Sequence, residues 1–293
     1  MKPYQIISDS SCDLPTNLLE TLNIGIVPYY VSFDTVSYYK EILELTPETF
    51  YDEVKARKVY PKTSLPPIQD YINIFEPYLK EGKDILCICL TSKFSGSYQS
   101  AINAGNILLE TYPDARIEVM DSISVTGTQG LLVYEACRMR DEGYSLDRLV
   151  ETLDRQKQTS KINFTVDSLD FLQKGGRVGK ASALAGTILN IKPIIIMTDG
   201  ELFPSGKVRG HKKALRHIIE MTKEEIGAEK EKYRICVIRA ERERQAAAEE
   251  VADELRGEGF DVTDEIWPIG ITIGTHAGPT PIGICYIKKY EYL

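Results

Sequence analysis

The chain has 293 residues, a formal net charge of -8 and a pI near 5.2, with 43% hydrophobic and 27% charged residues. That composition suits a globular protein with one or two cores, and its acidity argues against a nucleic-acid groove, which needs clustered Lys and Arg. No run approaches the roughly 18 apolar residues of a membrane-spanning helix, and Lys2-Pro3-Tyr4 lacks a signal-peptide core, so a cytoplasmic protein is expected.

In chain order, residues 4–7 read as a strand, and S-D-S-S-C-D-L-P as a loop before a helix at N-L-L-E-T-L. A second strand starts at Ile26. Thr46 with Pro47 predicts a helix start, Thr46 as N-cap and Pro47 as the first helical residue. T-S-L-P-P, from Thr63, opens a helix reaching Leu79. Residues 84–90 form a buried strand, 95–109 a helix, 116–120 a strand and 126–141 a helix. This alternation predicts an α/β fold with a mostly parallel sheet flanked by helices. A charged helical connection over 147–157 leads to a second α/β domain. Its expected parts are a strand from Ile162, a short helix from Ser168, the turn G-G-R-V-G, a strand from Lys192 and a turn at Asp199-Gly200. A helix over 207–226, a strand over 233–239 and a helix over 241–258 follow. The expected division is 1–160 and 161–293. The six cysteines contain no C-x-x-C pair and read as structural thiols, Cys87 and Cys89 on one strand face.

Four loops rich in small polar residues border apolar segments, where open α/β sheets place ligands. In the first, after Ser8, Asp and Ser can bind a ligand or cap the next helix. Thr63 and Ser64 leave the same choice open. The third, T-S-K-F-S-G-S-Y-Q-S-A from Thr91, sets Ser95-Gly96 where strand turns to helix, a ready anion site. The fourth, G-I-T-I-G-T-H-A-G-P from Gly270, brackets His276 with glycines. Ser95 and His276 with Asp9 or Asp121 could be paired as a hydrolase triad, a pattern of low specificity. The three histidines have no metal-ligand spacing. K-G-G-R-V-G and G-K-V-R-G-H-K-K combine glycine with cations and suggest an anionic partner or ligand.

Six segments in order resemble the DegV family of bacterial fatty-acid-binding proteins. They are I-S-D-S-S-C-D-L at 7–14, T-S-L-P-P at 63–67, T-S-K-F-S-G-S-Y-Q-S-A at 91–101, S-L-D-F-L-Q-K-G-G-R-V-G at 168–179, G-K-V-R-G-H-K-K-A at 206–214 and I-G-T-H-A-G-P at 273–279. The resemblance implies a two-domain DegV-like fold that binds one long-chain fatty acid in an apolar tunnel. It implies that Thr63, Ser95 and His276, with the Gly96 backbone N–H, hold the carboxylate. It implies that Arg177, Lys207 and Arg209 lie near the mouth or on a partner-facing surface. The implied role is a non-enzymatic carrier without cofactor or metal. It would present the acid to a fatty acid kinase for acyl phosphate formation in phospholipid metabolism, with room for transient membrane contact. Pro67, Phe94 and Ser97 depart from the family pattern and leave chain-length preference open. Two other readings remain: a serine hydrolase acting on acyl substrates, and a lipid-sensing regulator.

Overall fold

The computed structural model describes residues 2–184 and 190–293. The first half builds a parallel sheet from β1 (Tyr4–Asp9), β2 (Gly25–Val27), β6 (Asp84–Cys89) and β7 (Ile117–Asp121), in the order β2-β1-β6-β7. β6 is apolar on both faces and fully buried, as a central parallel strand must be. Helix α1 (Thr16–Thr21) follows β1. Between β2 and β6 a small antiparallel sheet forms from β3 (Tyr30–Ser32), β4 (Tyr39–Lys40) and β5 (Lys62–Ser64), in the order β4-β3-β5. Helices α2 (Pro47–Arg57) and α3 (Ile68–Lys80) flank β5. Thr46 caps α2 as expected, its hydroxyl accepting the Thr49 N–H at 3.3 Å.

The second half builds a mixed sheet from β8 (Lys161–Thr165), β9 (Ile191–Thr198), β10 (Glu201–Arg209), β11 (Tyr233–Arg239), β12 (Trp267–Pro268) and β13 (Ile282–Lys288). Its order is β10-β9-β8-β13-β11-β12, and every pairing except β11–β12 is antiparallel.

The layers stack through five levels. Helices α3 and α4 (Ser97–Thr111) cover one face of the parallel sheet, packing Tyr71, Phe75, Ala101 and Leu108 on Ile7, Ile85, Cys87 and Cys89. The other face meets α5 (Thr126–Asp141), whose opposite side packs on Cys236, Ile238 and Cys285 of the second sheet. The far face of that sheet carries α8 (His211–Ile226) and α9 (Gln245–Gly257). Helix α6 (Leu146–Gln156) packs beside α5, α7 (Asp170–Lys174) follows β8, and α10 (Ile271–Ala277) precedes β13. α5 is thus a layer shared by both sheets, buried nearly all round. All six cysteines are buried free thiols, and Cys87 and Cys89 place their sulfurs 3.7 Å apart.

Two sequence expectations change here. Residues 207–209 are strand, not helix. β10 stays in register with β9 as far as Arg209 opposite Ile191, and Gly210, at φ 92°, turns the chain before α8 starts. Residues 63–64 likewise belong to β5, paired with Val31 and Tyr30, and cap nothing.

The shared layer allows no added bulk. A Cβ on Gly130 would stand 2.5 Å from the Cys12 carbonyl oxygen and 2.8 Å from the Trp267 ring. Gly130→Ala should therefore destabilise by about 1–3 kcal/mol, although alanine normally stabilises a helix over glycine by roughly 0.5–1 kcal/mol. Urea unfolding midpoints check the sign.

Candidate functional site

A cavity of about 520 Å³ opens beyond the carboxyl ends of the parallel strands, against the face of the mixed sheet. This is where an open α/β sheet leaves helix N-termini and loops to line a ligand site. Its walls are apolar over most of their length, with Val125, Ile162, Phe164, Met197, Leu202, Ile238 and Ile269 contributing. The polar lining includes Thr63 and Ser64 on β5, Ser92, Lys93 and Ser95-Gly96 before α4, Thr126 at the start of α5, Arg177 after α7, and Thr272 and His276 on α10. Among the described residues no His, Cys, Asp and Glu group could hold a metal ion.

Thr63 and His276 meet directly, Oγ1 to Nε2, at 2.9 Å. Ser95 accepts a hydrogen bond from the Tyr29 hydroxyl at 2.8 Å and from the Ser97 N–H at 3.2 Å. Those two donors occupy the Ser95 oxygen, so its own proton is left to point at an acceptor in the cavity. The Gly96 N–H has no acceptor among the described residues and stands at the N-terminus of the long helix α4, where the helix dipole favours an anion. Thr63 and His276 are bonded to each other, so the pair leaves the Thr63 hydroxyl free when Nε2–H donates to it; with Ser95 and the Gly96 N–H this gives three donors for a small anionic head group.

The residues after Gly270 are helical, not a loop, and the reason lies in the first half of the chain. Glu41 reaches across to cap α10. One carboxylate oxygen takes the N–H groups of Ile271 and Thr272, the latter at 3.1 Å. The other takes the hydroxyls of Ser10 and Thr272, both at 2.6 Å. This cap outweighs the modest helix propensity of Ile and Thr. The glycines around His276 serve packing. A Cβ on Gly274 would meet the Tyr51 hydroxyl at 2.4 Å, and one on Gly278, at φ 81°, the Phe171 ring at 2.7 Å.

The electrostatics set the charge of the site. Burial, then the guanidinium of Arg177 and the ammonium of Lys62, push the His276 imidazole down to about 4, so it is neutral at physiological pH. Its Nδ1 is enclosed against the Gly175 backbone, with no aligned partner among the described residues. Arg177 lines the cavity, held by the carbonyls of Phe94 at 3.2 Å and Gly175 at 2.7 Å. A cation therefore lines the cavity close enough to His276 to depress it. Lys207 and Arg209 do not line the cavity; they lie exposed on the edge strand β10.

Behind the site is a buried acidic pair. Burial, together with the Glu41 charge, raises Asp13 well above the ordinary carboxyl range, and burial raises Glu41 too. Glu41 has four donors and Asp13 has none well aligned, so Glu41 is the member that carries the charge. Asp9, in the first loop, neither caps nor faces the cavity. It ties Ser11, Gln129, Ser97 and the Leu90 N–H together. Asp121 takes the Ser92 and Ile123 N–H groups.

No triad assembles among these groups. Ser95 is bonded to Tyr29, His276 to Thr63, and no described carboxylate meets the His276 ring. The residues that composition and motif reading pass over are Tyr29 and Glu41. Tyr29 sits in an apolar run with no feature to mark it, whereas a glutamate between Lys40 and Ile42 looks like an ordinary surface residue.

With this geometry in place, the chain can be set beside known proteins. The family model described as "Uncharacterised protein, DegV family" matches residues 3–289. The chain belongs to the DegV family. A DegV domain-containing protein of Caldanaerobacter subterraneus subsp. tengcongensis is 36% identical over 290 residues, covering 99% of this chain and 100% of that protein. A fatty acid (stearic acid)-binding protein from Eubacterium ventriosum has a solved structure with a TM-score of 0.93 at 37% identity, covering 99% of this chain and 100% of that one. The structure of DegV, a fatty acid binding protein from Bacillus subtilis, gives 0.86 at 30% identity, covering 99% and 100%. The two-domain DegV fold, a parallel sheet flanked by helices plus a second sheet domain, is shared with them. Among the described residues no helix is long and apolar enough to cross a membrane.

The depressed His276 has a readable signature. Between pH 6.5 and about 4 the unfolded chain takes up this proton before the folded one does, so stability falls as pH drops through that window. Imidazole NMR of the ligand-free protein should find one of the three histidines neutral until pH approaches 4, its signal lost in His276→Asn. Titration of all three near 6.5 contradicts the burial argument.

Proposed function

We propose that this protein binds one long-chain fatty acid, its acyl chain in the apolar cavity and its carboxylate held by Thr63, Ser95, His276 and the Gly96 N–H. The observation that carries this reading is a mostly apolar cavity of about 520 Å³ whose lining includes the bonded Thr63–His276 pair and Ser95. An acyl chain of ~16 carbons gains roughly 10 kcal/mol of gross transfer free energy at about 0.8 kcal/mol per methylene. Ordering the chain and the protein offsets much of that. A carboxylate leaving water needs several donors or it takes up a proton instead. The neutral imidazole orients the Thr63 hydroxyl toward the head group, its Nε2–H donating to the Thr63 oxygen, without the cost of burying a second ion, and Arg177 adds a positive field.

The acid is held for a partner. In this reading a cytoplasmic carrier presents the head group to a separate kinase, which forms the acyl phosphate used in phospholipid synthesis. The carrier needs no nucleotide site or cofactor of its own. Lys207 and Arg209, unpaired with any described carboxylate and exposed on β10, suit a partner-facing surface. The solved relatives support the lipid half of the proposal through the stearic acid binding of the Eubacterium ventriosum protein and the fatty acid binding of the Bacillus subtilis one.

Native mass spectrometry of the purified protein should release a fatty acid from the expression host, and consistently ligand-free protein would count against the reading. Ser95→Ala and His276→Ala should each weaken fatty acid binding by roughly 1–3 kcal/mol, the cost of a missing donor to a buried anion, or about 5- to 150-fold in Kd. Unchanged affinity in both variants removes these residues from the head-group site. Rapid labelling of Ser95 by a fluorophosphonate would favour a hydrolase.

A further inference from the structure

We infer that Glu41 and Tyr29 form a buried clasp that positions the two arms of the head-group site relative to each other. This rests on the fatty acid reading above and adds residues to it. The arms come from distant parts of the chain: His276 with Thr63 on one side, Ser95 with Gly96 on the other. No hydrogen bond joins Ser95 to His276 among the described residues, so their separation must be set from behind.

The clasp is a closed ring of hydrogen bonds. The Glu41 N–H donates to the Tyr29 carbonyl at 2.9 Å. The Tyr29 N–H donates to the Ser10 hydroxyl at 2.9 Å, and that hydroxyl donates to the Glu41 carboxylate at 2.6 Å. From this ring two rigid connections leave. The carboxylate of Glu41 holds the first turn of α10, which carries His276. The ring of Tyr29 lines the cavity and its hydroxyl holds Ser95 at 2.8 Å. Tyr29, Ser10 and Glu41 are each about 2% exposed, so water does not compete for these bonds. The next residue, Ile42, is a β-branched side chain at φ 70°, a costly conformation that the contacts around the clasp must hold in place. A charged glutamate in the interior is costly unless its oxygens are satisfied, and here both are.

Both are positioning residues: neither Glu41 nor the Tyr29 hydroxyl has to touch the ligand for the clasp to act. Tyr29 acts through Ser95, whose proton it directs by filling the oxygen's lone pair. The prediction is a loss of head-group discrimination and not of binding as such.

The test compares stearic acid with methyl stearate, which keeps the chain and removes the anion, by equilibrium binding to delipidated full-length protein. Wild type should prefer the acid. Tyr29→Phe should lower affinity for the acid by roughly threefold to tenfold, the value of one hydrogen bond, and leave the ester unchanged. Glu41→Gln should narrow the same ratio. In a Ser95→Ala background the Tyr29→Phe effect should vanish, while in His276→Ala it should persist. Equal loss for acid and ester, or an undiminished effect in Ser95→Ala, overturns the clasp and leaves the carrier standing. A wild type with no preference for the acid overturns the carrier reading instead. If Glu41→Gln does not fold, Tyr29→Phe decides, since it deletes a single oxygen atom.

Discussion

The structure depends on one carboxylate from the first half of the chain capping a helix near its end. Glu41 satisfies the first N–H groups of α10, and α10 carries His276 to the cavity. A helix of seven residues rich in β-branched side chains has little stability of its own. It exists because its orphan donors are met, because Thr272 adds its hydroxyl, and because Gly274 and Gly278 let Tyr51 and Phe171 close over it. Losing the cap would release the helix and with it the imidazole. The same constraint explains the burial of Asp13. Two carboxyls in one dry site cannot both stay ionised, so the one without donors takes the proton.

That arrangement shapes the chemistry available at the cavity. A histidine depressed to about 4 by burial and by Arg177 is a neutral hydrogen-bonding group at physiological pH. A general base for Ser95 would need a hydrogen bond to the serine and an orienting acid behind it. Here the imidazole is turned to Thr63 and Ser95 to Tyr29. Asp9 and Asp121, the acids that sequence alone could pair with them, are engaged in holding the loops after β6 and β7. The polar residues thus direct donors at one point, an arrangement suited to holding an anion.

Much of this was legible in the sequence where the signal is local. The parallel sheet follows from alternating apolar strands and helices, Thr46-Pro47 announces its own cap, and Ser95-Gly96 marks a strand-to-helix turn. What failed was set by partners distant in the chain. Residues 207–209 are strand because β9 pairs with them, against a local pattern that suits a helix equally well. His276 looked like a loop residue because the glycines flanking it are turn formers, and the glutamate that makes the segment helical lies 230 positions upstream. Tyr29 carries no mark at all. Its hydroxyl matters only because Ser95, 66 residues on, folds within reach. The order of six motifs carried the family where no single motif could.

Affinity and orientation come from different parts of this cavity. Apolar burial has no direction: Ile162, Phe164, Met197 and Ile238 would accept an acyl chain running either way, and would accept an ester or alcohol as readily as an acid. Direction comes from an asymmetry. Thr63, Ser95 and the Gly96 N–H offer donors, and a carboxylate placed against the apolar wall would lose its hydration for nothing. A few hydrogen bonds contribute little to net affinity but discriminate strongly, because the wrong head group leaves buried donors unpaired. Such discrimination is only as sharp as the spacing of the donors, and here the donors sit on a short helix, a strand at the edge of a small sheet and a loop before α4. None of these elements fixes the others through the cavity itself. The rigidity must come from the layer behind them, where Glu41, Ser10 and Tyr29 are buried and hydrogen-bonded to one another.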